Sequence, residues 1–116
     1  LADVKNPQGT APFVVLHHSG IEPIHFDLLI DLDPEASVPT WRLDSWPADL
    51  TTTTAKLLRP HRRLYLTYEG PVAGDRGHVT QVASGTLSID ADDDFAIATF
   101  PDGSRVRLPL RDDVNP

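Results

Sequence analysis

Short apolar runs recur along this chain, several alternating with polar residues, and few segments between its prolines and glycines are long enough for a helix. The runs predict about eight short strands, at 12–17, 25–31, 38–43, 63–68, 78–83, 86–90, 95–100 and 105–110. The first is apolar and β-branched, and the second ends at Asp31-Leu32-Asp33-Pro34, a turn signal. The third carries Trp41; the fourth alternates and carries Tyr65 and Tyr68. Ser84-Gly85, the polar stretch 91–94 and Pro101-Asp102-Gly103 read as hairpin turns. In the last, proline fixes φ, aspartate bonds its own backbone and glycine takes positive φ. Segment 48–58 reads as loop or irregular strand: Asp49 can cap a helix, but the threonines at 51–54 are poor helix formers. Closely spaced strands with Gly/Pro turns predict a mainly β fold, a single compact β-barrel of mostly antiparallel strands.

Composition sets bounds on this picture. The 116 residues fit one domain, 1–116, with 1–10 and 112–116 expected as loose ends. No apolar stretch nears the ~18 residues that cross a membrane. Leu1-Ala2-Asp3-Val4-Lys5 has neither a basic flank nor an apolar run, so no secretory signal is read and a cytoplasmic location is expected. With no Met in the chain, Leu1 does not read as a translation start. Cysteine is absent, which excludes disulfides and thiolate ligands or nucleophiles. Seventeen acidic against ten basic residues give a net charge of −7, which argues against broad, non-specific adhesion to nucleic acid. The charges are uneven, however. Asp90, Asp92, Asp93 and Asp94 crowd one segment, whereas Arg59, Arg62 and Arg63 surround His61. A small basic patch of that kind can grip a nucleic-acid end but cannot coat a duplex.

Two constellations carry candidate chemistry. In His25-Phe26-Asp27 the outer residues share a strand face, and a histidine from the end of the preceding strand, His17 or His18, can meet them across the turn 19–24. Two imidazoles and a carboxylate suit Mn²⁺, Zn²⁺ or Fe²⁺ and leave positions open for water and substrate oxygens. His18 is favoured because it lies closer to the turn. The second constellation is Arg59-Pro60-His61-Arg62-Arg63-Leu64-Tyr65-Leu66-Thr67-Tyr68-Glu69-Gly70. Guanidinium matches phosphate oxygens bidentately, and histidine can stabilise or protonate a phosphoryl oxygen. Plainer readings stand beside both. Strand-end histidines are often hydrogen-bonded surface residues, Asp27 can simply pair with an arginine, and Arg62 and Arg63 can be solvated charges.

Taken together, these segments resemble the 3′-phosphoesterase domain of bacterial DNA ligase D and its stand-alone relatives. The likeness covers roughly residues 12–90. It runs through Phe13-Val14-Val15-Leu16-His17-His18, His25-Phe26-Asp27, Val38-Pro39-Thr40-Trp41, His61-Arg62-Arg63-Leu64-Tyr65 and Tyr68-Glu69-Gly70. It continues through Gly74-Asp75-Arg76-Gly77-His78-Val79 to Gly85-Thr86. The resemblance implies a compact β-barrel with a surface crevice, in which His18, His25 and Asp27 hold a Mn²⁺-type ion, with Zn²⁺ as the alternative. It implies that His61 contacts the scissile phosphate with Tyr65 close by. The basic residues Arg62, Arg63 and Arg76 are expected to bind phosphate. The implied activity is 3′-end healing in DNA repair: removal of a 3′-terminal ribonucleoside and then a 3′-phosphate, by a monomer that meets nucleic-acid 3′ ends and a ligase or polymerase.

Two departures stand out. The loop between the first two histidines differs by one residue, and the family's His-x-Asp-x-Arg ends here in Leu29. Losing one charge-assisted contact at a phosphoryl site costs about 3 kcal/mol, or about 10²-fold in rate, unless Arg42, Arg62, Arg63 or Arg76 supplies the charge from another direction. The competing expectation is therefore a non-catalytic metal-binding barrel that binds nucleic-acid ends or a repair protein. A third is a hydrolase for a small phosphoester or cyclic phosphate.

Overall fold

The computed structural model describes Val4 and residues 7–112; of the expected loose ends, 1–3, 5–6 and 113–116 lie outside the described residues. The rest of those ends is tied down. Val4 donates its N–H to the Leu110 carbonyl at 2.8 Å, and the first strand already begins at Gly9.

The strands are β1 (Gly9–Ser19), β2 (His25–Ile30), β3 (Thr40–Leu43), β4 (Ala55–Leu57), β5 (Gly70–Pro71), β6 (His78–Ala91), β7 (Phe95–Thr99) and β8 (Arg105–Pro109). All pair antiparallel in one sheet of order β4-β3-β2-β1-β6-β7-β8, with β5 also on β6. The two ends, β4 and β8, lie against each other, so the sheet is a nearly closed barrel. Trp41, fully buried, reaches across that seam and donates its indole N–H to the Pro109 carbonyl at 2.7 Å. Phe13, Val15, Leu28, Ile30, Trp41, Leu43, Leu87, Val106 and Leu108 fill the interior.

The part of the sheet made by β1, β2 and the start of β6 is covered on its outer face as well. There Val14, Leu16, Leu29, Val38 and Val79 pack beneath Tyr65, Leu66, Tyr68 and Val72 of segment 58–77. Burial on both faces explains why 13–16 and 28–30 are unbroken apolar runs rather than alternating ones.

The expected turns at 91–94 and 101–103 are present. Asp92 accepts the N–H groups of Asp94 and Phe95, Asp102 accepts that of Ser104, and Gly103 has φ of 88°. Two expectations are corrected. Ser84-Gly85 is no hairpin: β6 runs straight through it, and Gly85 stands opposite Phe13, whose ring would lie 3.4 Å from any Cβ placed there. A glycine inside a strand marks close approach as readily as a turn. The strand expected at 63–68 is instead a single 3₁₀ turn, Arg63–Leu66, with Tyr65 N–H bonded to the Arg62 carbonyl at 3.0 Å. On a strand Tyr65 and Tyr68 would point to opposite sides. The turn lets both face the sheet, with their rings 5.6 Å apart and edge-on. Segment 48–58 is loop followed by the three-residue β4, and Asp49 accepts the N–H groups of Thr51 and Thr52. Among the described residues no helix is long and apolar enough to cross a membrane.

Candidate metal centre

Register decides which histidines meet. The β1–β2 pairing sets His18 opposite His25 and Leu16 opposite Asp27, so His18, His25 and Asp27 share the outer face. His17 pairs with Phe26 and packs on its ring, with centroids 5.1 Å apart. His18, and not His17, therefore joins His25 and Asp27 in the cluster. His61 arrives from the covering segment. A bridge to Val38, with both backbone hydrogen bonds made at 2.8 and 2.9 Å, hangs it over the same spot.

The three imidazoles converge on one carboxylate that is 2 % exposed. His25 Nε2 lies 3.1 Å from Asp27 Oδ1, His18 Nδ1 3.4 Å from Oδ2, and His61 Nε2 3.8 Å from Oδ2. Each ring uses its other nitrogen on a backbone carbonyl: His25 on Pro23 at 3.0 Å, His18 on Arg76 at 2.6 Å, and His61 on Arg59 at 3.1 Å. A carbonyl only accepts, so those nitrogens carry the protons. In the neutral rings the nitrogens facing Asp27 are therefore lone pairs, aimed at an acceptor-only carboxylate. His18 Nδ1 and Asp27 Oδ1 are accordingly buried without a hydrogen-bond partner. Such an array is satisfied by a cation. His18, His25 and Asp27 offer ligand atoms all within 4.8 Å of one another, and the carbonyls behind the rings fix tautomer and orientation as metal-bound histidines require. The cluster can hold a divalent ion.

Local sequence explains the backing carbonyls. The Arg76 carbonyl reaches His18 because the next residue, Gly77, passes against the end of β1. A Cβ there would collide with the Ser19 carbonyl oxygen. Pro23 and Arg59 each sit two residues before the histidine they hold, so their turns are written locally in the chain.

The centre forms one wall of a cleft of about 540 Å³ between the sheet and segment 58–77. Its lining includes Tyr65, whose ring lies 5.8 Å from that of His61, and the guanidinium-bearing residues Arg42, Arg59, Arg62 and Arg76. The Arg62 guanidinium sits 5.9 Å from the Tyr65 ring centroid. Asp27 is the sole carboxylate of that lining, so the cleft is locally positive on an acidic protein. His61 is pulled both ways. Burial disfavours its charge, but the Asp27 carboxylate and the Arg59 carbonyl outweigh this and raise its pKa above the ordinary histidine value.

Of the expected phosphate-binding residues, Arg62 and Arg76 are in the cleft and Arg63 is not. Arg63 holds Asp31 bidentately at 2.7 and 2.9 Å and also the Asp33 and Ala36 carbonyls, a clamp that pins the 3₁₀ turn to the chain after β2. In exchange Arg42 enters, because β3 pairs it directly with Asp27. Sequence offered Arg42 only as one of several substitutes, since pairing register is not visible in a β3 of four residues. Leu29 is fully buried in the apolar layer under segment 58–77 and does not line the cleft.

Comparison of the sequence with protein-family models and with curated proteins finds no match.

Proposed function

We propose that this protein is a metal-dependent phosphoesterase that heals 3′ ends of nucleic acid bearing a 3′-phosphate or 3′-ribonucleotide, with Mn²⁺ as its preferred ion and Zn²⁺ as a substitute. The reading rests on one observation: three backbone-oriented imidazoles and a buried carboxylate converge beside arginines that have no carboxylate partner. Among the described residues, Arg42, Arg59 and Arg62 form no ion pair, whereas Arg63 and Arg111 are paired away from the cleft. Likeness to the ligase D phosphoesterase domain supports the same reading.

His18, His25 and Asp27 would hold the ion, which would supply Lewis acidity toward a phosphoryl oxygen and make nearby water more acidic. The chain's own residues do the rest. Guanidiniums hold the non-bridging oxygens. His61 stabilises charge on the phosphoryl group and offers a proton to the leaving oxygen. Tyr65, against His61 and under Arg62, borders the site of the reacting end. A monomer acting beside a ligase or polymerase in DNA repair, in the cytoplasm, fits a small cleft that takes strand ends rather than duplex.

The test is incubation of the purified protein and Mn²⁺ with a primer–template carrying a 3′-phosphate or a 3′-ribonucleotide. Phosphate or ribonucleoside release is expected. His18→Ala, His25→Ala and Asp27→Ala should each abolish Mn²⁺ uptake, and His61→Ala should retain uptake while losing at least about 10²-fold in rate. Uptake without turnover of either substrate leaves a non-catalytic metal-binding module. No uptake at all removes the metal reading.

A further inference from the structure

The β-sheet pairing builds a cross-strand row on the outer face that runs away from the metal centre. Leu16 of β1 stands opposite Asp27 of β2, Asp27 opposite Arg42 of β3, and Arg42 opposite Lys56 of β4. Directly opposed residues share a face, and each strand is ~5 Å from the next, so Lys56 lies ~10 Å from Asp27 along the row. Burial agrees: the neighbours Trp41, Leu43, Ala55 and Leu57 turn inward, leaving Arg42 half-buried and Lys56 exposed.

Two cations directly opposed across antiparallel strands repel each other and weaken the pairing. Asp27, already shared by three imidazoles, stands across β2 from Arg42 but does not pair with it: among the described residues no carboxylate lies within ion-pair distance of Arg42 or Lys56. Asp44, just past the end of β3, accepts the Thr54 N–H at 2.8 Å. Arg42 is also the one cation that the strands give to the cleft lining; Arg59, Arg62 and Arg76 come from the covering segment. Its backbone is fixed on either side by fully buried Trp41 and Leu43, and Trp41 is pinned across the seam. A rigid strand carrying unpartnered charge at a set distance from a metal centre is a positioned anion site rather than solvated surface.

We propose that Arg42 and Lys56 form a second phosphate step. Arg42 holds the terminal phosphate at the metal centre, and Lys56 holds the next phosphodiester of a single strand leaving the cleft over β3 and β4. The inference rests on the reading of the cleft as a nucleic-acid end site and adds to it the direction in which the strand leaves.

The experiment titrates two probes, a nucleoside 3′-monophosphate and a short oligonucleotide with a 3′-phosphate, onto wild-type, Lys56→Gln, Lys56→Arg and Arg42→Gln protein. Each titration is run with and without Mn²⁺ at several salt concentrations, and Mn²⁺ uptake is measured separately. Lys56→Gln should weaken the oligonucleotide about tenfold and reduce its log–log salt slope by about 0.7, leaving the mononucleotide unchanged. Lys56→Arg should restore binding, and Arg42→Gln should weaken both probes. Mn²⁺ uptake should be undiminished in all variants, because removing a nearby positive charge does not disfavour a cation. The proposal is overturned if Lys56→Gln affects both probes equally or neither. It is also overturned if Arg42→Gln lowers Mn²⁺ affinity, which would make Arg42 a positioner of Asp27. If wild-type protein takes up no Mn²⁺, the metal reading fails by itself, and the metal-free titrations still decide the phosphate step.

Discussion

His61 differs from the other two imidazoles of the centre in what it can report. It is the most exposed of the three, at 27 % for the side chain, and its charged form is favoured, by Asp27 and the Arg59 carbonyl against the opposing effect of burial. Its metal-free pKa should therefore lie above the ordinary 6.5. The sign for stability follows: the contribution is full below the unfolded-state value and is lost as pH rises through the raised one. A divalent ion at His18, His25 and Asp27 would neutralise the carboxylate that sustains the shift and leave burial to dominate. Proton-detected titration of the imidazole resonances, with diamagnetic Zn²⁺ as the ion, should show the His61 pKa fall when metal is added. An unchanged or increased value would mean that His61 and the ion do not share Asp27.

At the scale of elements, segment 58–77 is a cover held by the pairing of β5 with β6, the His61–Val38 bridge, the Tyr65–Leu66–Tyr68 packing and the Arg63 clamp on Asp31, among other contacts. The clamp is bidentate, and the guanidinium beside it holds the Asp31 carboxyl below its usual range. Its stabilisation is thus present at neutral pH and lost as pH falls through that lowered value. Arg63→Ala should lower stability only modestly, since the pair is partly exposed and screened. It should speed hydrogen exchange in 58–77 while β6 to β8 keep their protection; uniform loss across the barrel would mean that the clamp supports the whole fold. This cover is where sequence was least legible. Most strands could be read from apolar runs and turn residues, and the His-x-Asp pair from a period of two. The alternation of 63–68, however, arises in a 3₁₀ turn whose tyrosines and leucine pack on another strand's outer face, a tertiary fact with no local trace. Arg63 looks like its neighbour Arg62 in sequence, and only the position of Asp31 separates clamp from cleft. Gly85 likewise reads as a turn until Phe13 is known to lie over it. The choice of His18 over His17, and the entry of Arg42, both follow from pairing register, which turn residues alone do not specify.

For the molecule as a whole, the candidate metal centre is a place where stability is given up. Without an ion, two of the centre's polar atoms, His18 Nδ1 and Asp27 Oδ1, are buried with no hydrogen-bond partner. A buried polar group left without a partner costs ~1–3 kcal/mol, and the barrel must meet that cost from its apolar interior. Asp27→Asn keeps the shape but places an amide within reach of His25 Nε2, where a donor now meets a lone pair. This variant should melt higher than metal-free wild-type protein by about 4 °C, the shift that ~1 kcal/mol gives in a domain of this size. Wild-type protein at a hundredfold excess of Mn²⁺ over its dissociation constant should gain ~2.7 kcal/mol, or ~10 °C, and the variant should gain nothing. Reversal of that order in thermal denaturation, with the Asp27→Asn variant less stable than metal-free wild type and still stabilised by Mn²⁺, would show that Asp27 is a structural acceptor and that the ion, if bound, sits elsewhere. The gain without metal and the loss of response to it come from the same oxygen-to-nitrogen exchange, so one pair of melting curves tests both.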